Sequence, residues 1–145
     1  MIGLLQRVSR ASVSAGSREI AVIGPGLLVL VGVRKDDREA QAERLLERLL
    51  GYRVFADTEG RMNRSLRDTG GGLLLVPQFT LAADTRKGTR AGFQTAAEPG
   101  RAKTLFEHLL NRARAEHPVV AMGEFGADMR VSLINDGPVT FWLES

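Results

Sequence analysis

The sequence predicts a single α+β or mixed α/β domain spanning residues 1–145, a mostly antiparallel sheet with two main helices. Three observations predict it. Apolar, β-branched segments open the chain around a Gly-Pro-Gly turn. Two stretches, one after Asp36 and one after Pro99, place leucine and alanine at helical spacing. Short apolar runs then close the chain between residues 119 and 143.

Taken in order, Ile2–Val13 is apolar and β-branched enough for a first strand, and Glu19–Ile23 and Leu27–Val33 read as two more. Gly24-Pro25-Gly26 lies between the last two. Proline presets one turn dihedral and glycine supplies a positive one, so the three strands read as an antiparallel meander. Asp36 opens a helix, with Glu39 at capping-box spacing. Ala42, Leu45, Leu46, Leu49 and Leu50 fall on one face of that helix, and Gly51 stops it. Tyr52–Ala56 reads as a strand, and Asp57-Thr58-Glu59-Gly60 as a turn. Gly70-Gly71-Gly72 precedes a buried strand, Leu73–Leu81. The stretch Ala82–Pro99 is a loop long enough to suggest function. Pro99 starts the second helix, whose apolar face is Ala102, Leu105, Phe106, Leu109 and Ala113. Val119–Phe125, Met129–Asn135 and Val139–Leu143 read as closing strands. Two helices against a sheet would leave one sheet face uncovered, which invites dimerisation.

The bulk composition narrows the function. A chain of 145 residues, 43% hydrophobic and 26% charged, suits one core. Its apolar runs are too short to cross a bilayer, and its first residues lack a basic n-region and a cleavage site. Cysteine is absent, which removes disulfides, thiolate nucleophiles and cysteine metal sites. These features fit a cytoplasmic protein without a membrane partner. Net charge is +3, with a pI near 9.9, compatible with a phosphate-bearing partner such as RNA.

Several chemistries are excluded. Only two histidines occur, His108 beside the apolar stripe of the second helix and His117 before a proline, and both read as surface residues. There is no HExxH and no histidine or cysteine cluster, so no metal site is expected. There is no GxSxG elbow and no nucleotide-binding glycine loop. The Asp36-Asp37 pair is explained by helix capping. Any enzyme here must work with hydroxyls, amides, backbone groups, or a group that the substrate brings, and no cofactor is expected.

Two segments stand out. Pro77-Gln78-Phe79-Thr80-Leu81 ends the buried strand, where two-residue alternation would put Gln78 and Thr80 on one face. Asn135-Asp136-Gly137-Pro138-Val139-Thr140 lies between two closing strands. Taken alone, the first reads as a hydrogen-bonded pair in a sheet and the second as a hairpin turn.

Both segments, and nearly the whole chain, resemble the bacterial D-aminoacyl-tRNA deacylase family. The similarity runs through Gln6-Arg7-Val8, Ala11-Ser12-Val13, Gly26–Gly32, Lys35-Asp36-Asp37, Leu50-Gly51-Tyr52-Arg53 and Met62-Asn63. It continues through Gln78–Asp84, Ala127-Asp128-Met129, Val131-Ser132-Leu133 and Asn135–Leu143. The chain departs from the family at Pro77, where serine is usual. A hydroxyl and a backbone N–H are lost there, so local positioning should change while activity survives.

The resemblance implies a homodimer with its active site at the subunit interface, acting on tRNA that carries a D-amino acid or glycine, including glycine mischarged onto tRNA(Ala). It implies that Gly137-Pro138 is cis and enters the pocket of the second subunit. Its carbonyls would hold the substrate ammonium, and an L-residue would clash with it. Arg7 would brace those carbonyls, and Met129 and Phe79 would line the pocket of the terminal adenosine. The backbone amides of Gln78 and Phe79 would form an oxyanion hole. Thr80 has no evident base beside it, so a positioning role suits it better than a nucleophilic one. The ribose 2′-OH would then assist attack or orient water. Arg86, Lys87 and Arg90 would meet acceptor-stem phosphates, and no DNA partner is implied. The alternative is a tRNA-binding module without catalysis.

Overall fold

The computed structural model describes residues 1–145. Strand β1 (Ile2–Ala15) is the spine of a six-stranded sheet. Along one side it pairs antiparallel with β8 (Arg130–Glu144). Along the other it pairs antiparallel with β3 (Gly26–Gly32) over Ile2–Val8 and with β2 (Arg18–Ile23) over Ala11–Ala15. The sheet continues in parallel from β3 to β6 (Gly72–Pro77) and on to β7 (Val120–Met122). Parallel neighbours need long crossovers. Helices α1 (Glu39–Gly51) and α3 (Pro99–Glu116) supply them. Leu27–Val29 and Leu73–Val76 are continuous buried runs rather than alternating ones, because both faces of these strands are covered.

Two cores result. The larger joins the helical stripes, Leu45, Leu46, Leu49 and Leu50 of α1 with Leu105, Phe106 and Leu109 of α3, to Leu5, Leu27, Val29, Leu73 and Leu75 of the sheet. The smaller lies on the other face and gathers Val8, Ala11, Val13, Ile23, Leu28, Leu74 and Val76. The expected uncovered face is therefore not open. The sheet curls so that β2 lies against β6, with the Ile23 side chain 2.8 Å from where a Cβ on Gly72 would sit. A Cβ on Gly26 would fall 2.0 Å from the Gly72 carbonyl oxygen, so only glycine permits the strands to start this close.

The structure differs from the sequence expectations at several points. Helix α1 starts at Glu39, and Arg38 is its N-cap, its N–H donating to Gln41 Oε1 at 2.9 Å. Asp37 is drawn elsewhere. It is buried and accepts from the Met1 ammonium at 2.7 Å and the Arg34 amide at 2.6 Å. The strand expected over Tyr52–Ala56 shrinks to β4 (Phe55–Ala56), which forms a small ribbon with β5 (Met62–Arg64) around the expected turn. A four-residue helix, α2 (Leu66–Thr69), was not foreseen. One turn is too short to show periodicity, and it is set by the Ser65 cap and by Gly70 at φ 66°.

The strand expected over Leu73–Leu81 ends at Pro77, and Phe79–Ala82 forms a 3-10 turn. The two strands expected over Met129–Asn135 and Val139–Leu143 are one, β8, so there is no hairpin. Its register against β1 passes from Val8–Asn135 to Gln6–Thr140, so Asp136–Val139 bulge out opposite Arg7 alone. The strand expected at Val119–Phe125 is only Val120–Met122. His117 is buried rather than on the surface, because it follows α3 and its Nε2 lies 2.6 Å from the Gly71 carbonyl oxygen.

Candidate active site

The parallel strand β6 delivers Gln78 to the end of the sheet. The Gln78 amide donates to the Val31 carbonyl at 2.8 Å, which extends the β3–β6 ladder by one bond. The chain then turns, with Leu81 N–H donating to the Gln78 carbonyl at 3.3 Å. As the first residues of a 3-10 turn, Phe79 and Thr80 have amides with no acceptor inside it. The free pair of amides is thus Phe79 and Thr80. The Gln78 amide, expected as an oxyanion donor, is already spent on the fold.

The side chains of Gln78 and Thr80 do meet, Gln78 Nε2 donating to Thr80 Oγ1. The turn brings them together, not strand alternation. Whichever way that carboxamide is oriented, it is neutral and a feeble base, so Thr80 has no partner that could take its proton.

Pro77, Gln78 and Phe79 form one wall of an apolar cavity of about 450 Å³. Met129, Phe125 and Phe106 are among the residues on its other walls. Met129 is half-buried, and its Sδ accepts the Glu124 amide at 3.2 Å. Phe79 is 61% exposed at the cavity lip, its ring centroid 5.2 Å from that of Phe93. On the far side of the turn, Thr80 opens onto a polar cleft of about 900 Å³ shared with Lys35, Arg86 and Trp142.

The Asp136–Val139 bulge is held from two directions. Arg7 Nε donates to the Asp136 carbonyl at 2.7 Å, and Arg7 Nη1 donates to the Val54 carbonyl at 2.6 Å. Arg7 thus braces the carbonyl just before Gly137. Asn135 Oδ1 accepts the Val139 amide at 2.7 Å, and Asn135 Nδ2 donates to Thr140 Oγ1 at 2.9 Å. The Gly137–Pro138 peptide bond is cis, and both residues are exposed.

The loop cations do converge. Arg86, Lys87 and Arg90 line a third cleft of about 470 Å³ with Asp84, Gly92 and Gln94. Arg86 grips Asp84 with two bonds, Nε to Oδ1 at 2.9 Å and Nη2 to Oδ2 at 2.7 Å. Those bonds hold the Asp84 carboxyl down at about 2. Lys87 and Arg90 form no ion pair within the chain.

One chain therefore groups Gln78, Phe79 and Met129 around a cavity, with Thr80 and Arg86 on a neighbouring cleft and Lys87 and Arg90 on a further cleft that Arg86 also lines. It holds Arg7, Gly137 and Pro138 as a second group. None of these three cavities has Gly137 or Pro138 in its wall. Sequence reasoning gave no role to Asn135, whose signal was an asparagine placed to bond backbone two to four residues on.

The comparisons with known proteins agree with this fold. The family model described as D-Tyr-tRNA(Tyr) deacylase matches residues 4–144. Fold and sequence together put the chain in the class of aminoacyl-tRNA deacylases, hydrolases that act on an ester bond. Within that class, the chain belongs to the D-Tyr-tRNA(Tyr) deacylase family.

It is 66% identical over 144 residues to the D-aminoacyl-tRNA deacylase of Thioalkalivibrio sulfidiphilus, covering 99% of this chain and 97% of that one. It is 59% identical to the D-aminoacyl-tRNA deacylase of Stutzerimonas stutzeri, over the full length of both. Among solved structures, the c-Myc DNA unwinding element binding protein superposes with a TM-score of 0.96 at 36% identity, covering 100% of this chain and 99% of that one. A probable eukaryotic D-amino acid tRNA deacylase superposes with a TM-score of 0.82 at 17% identity over 99% and 98% of the two chains, a likeness of fold.

Proposed function

We propose that this protein hydrolyses the ester bond of D-aminoacyl-tRNA as a homodimer, releasing the D-amino acid and spending no cofactor. The observation that carries the reading is the Gln78–Thr80 turn. It offers two unpaired amides between an apolar cavity sized for a nucleoside and a polar cleft flanked by cations. Amides fixed in this way can meet the negative charge that develops on an ester carbonyl. The terminal adenosine occupies the cavity of Phe79 and Met129, and Arg86, Lys87 and Arg90 meet phosphates of the acceptor end. Thr80 positions the substrate, and the ribose 2′-OH assists attack.

Gly137 and Pro138 act from a second copy of the chain, which supplies what one copy keeps apart. Their carbonyls hold the substrate ammonium, and an L-residue drives its Cβ into them. Glycine has no Cβ and passes, so glycyl-tRNA, including glycine mischarged onto tRNA(Ala), is also cleaved. Such an enzyme serves translation quality control in the cytoplasm.

Hydrolysis of matched D- and L-tyrosyl-tRNA by the purified protein tests the reading, with glycyl-tRNA(Ala) as a third substrate. Cleavage of the D- and glycyl-esters with the L-ester spared is expected. Tight binding of charged tRNA with every ester left intact would instead establish a non-catalytic binding module.

A further inference from the structure

We propose that Asn135 is a selectivity-determining positioning residue, whose carboxamide fixes the direction of the Gly137 and Pro138 carbonyls. The inference rests on reading Gly137–Pro138 as the chiral gate. The bulge sets four residues, Asp136 to Val139, against Arg7 alone, and three of those four are exposed. A segment so poorly paired needs side chains to hold its shape. Arg7 secures one end through the Asp136 carbonyl and ties it to the Val54 carbonyl.

Asn135 secures the other end with every group it has. Its Oδ1 accepts the Val139 amide at 2.7 Å. Its Nδ2 donates to Thr140 Oγ1 at 2.9 Å, with longer contacts to the Val139 carbonyl at 3.3 Å and Gln6 Oε1 at 3.4 Å.

This pattern sorts the carbonyls of the bulge. Those of Asp136 and Val139 are spent on Arg7 and Asn135. The two between them have no side-chain donor and are left for a ligand ammonium. A carboxamide suits the place because it accepts and donates at once. A carboxylate would accept from the Val139 amide but repel the Val139 carbonyl. Rejection by shape also requires that the gate not yield when an L-residue presses on it. Tolerances for such sites are about half an ångström, so the clip at the C-terminal end decides selectivity as much as the gate itself.

The test is single-turnover hydrolysis of D- and L-tyrosyl-tRNA by the wild type, Asn135→Ala and Thr140→Val, with thermal unfolding of each. Asn135→Ala is expected to lower the D-over-L rate ratio by at least about tenfold, the loss of roughly one oriented hydrogen bond. Thr140→Val removes only the hydroxyl that orients the carboxamide, so a smaller fall in the same direction is expected. A merely structural Asn135 would lower the active fraction and both rates together. An unchanged ratio in a selective protein therefore overturns the inference alone. Should Asn135→Ala not fold, the Thr140→Val ratio decides, and no change there is equally fatal. A wild type without preference for the D-ester overturns the gate reading and this inference with it.

Discussion

A single added methyl group probes the bulge most directly. A Cβ on Gly137 would lie 2.7 Å from both the Val139 amide nitrogen and Val139 Cγ2, and 3.3 Å from Arg7 Nη2. The first contact is with backbone and cannot be relieved by a rotamer change. Gly137→Ala should therefore abolish most deacylation by displacing the proposed gate, and should also lower the melting temperature, because a side chain at φ 155° is strained as well as crowded. Rate and thermal unfolding measured on one preparation check both halves, and unchanged turnover would count against a close approach there. Thr80 makes the opposite case. Its hydroxyl receives a hydrogen bond from Gln78 and faces no base, so Thr80→Ala should cost about tenfold in rate, the value of one contact. Total loss with tRNA binding intact would restore Thr80 as nucleophile. Gln78, Phe79, Thr80, Gly137 and Pro138 stood out in the sequence only through the resemblance of two short blocks to the deacylase family, since taken alone those blocks read as a sheet pair and a turn. Which amide is free was not legible, since the spending of the Gln78 amide on Val31 depends on the register of two strands far apart in sequence.

At the scale of elements, the parallel pair β3 and β6 is the most exacting part of the fold. Gly26→Ala would push a methyl into the Gly72 carbonyl and should destabilise the protein by about 3 kcal/mol, the upper end of common point changes. Urea unfolding measures this, and a shift in midpoint at constant slope is expected. The loop after β6 has its own signature. Asp84 ionises at about 2, below its ordinary 3.8, because Arg86 binds its carboxylate. The pairing thus contributes fully above about 3.8 and is lost as pH falls through about 2. Following the Asp84 carboxyl by NMR during acid titration should show this window, and Arg86→Ala should return it toward the ordinary value. The helices were legible because their apolar stripes are long and regular. Two of the expectations that failed did so because a tertiary partner outranked a local pattern. Asp37 left the helix cap for the Met1 ammonium, and β8 ran straight through a turn-like Asn-Asp-Gly-Pro because β1 pairs with it on both sides of the bulge.

For the whole molecule, the question is what covers β8. This strand has β1 on one side and no neighbour on the other, and an unpaired edge is a template for association. It also exposes Ile134 at 63%, Trp142 at 49% and Leu133 at 36%, apolar side chains that a monomer would leave in water. The proposed gate residues Gly137 and Pro138 sit on the same strand, outside every larger cavity of their own chain. Association of two copies through this strand would bury the apolar groups and carry each gate to the neighbouring Gln78–Thr80 turn in one symmetric step. Sedimentation should then give twice the 15.8 kDa chain mass at micromolar concentration. Ile134→Glu places a charge on that surface without touching either core, so it should yield folded monomers with normal circular dichroism and no deacylase activity. Mixing inactive Gly137→Ala chains with chains disabled only at the Gln78–Thr80 turn provides the decisive reading. If each site draws its gate from the other copy, heterodimers regain one working site in two, whereas sites complete within a single chain would gain nothing from mixing.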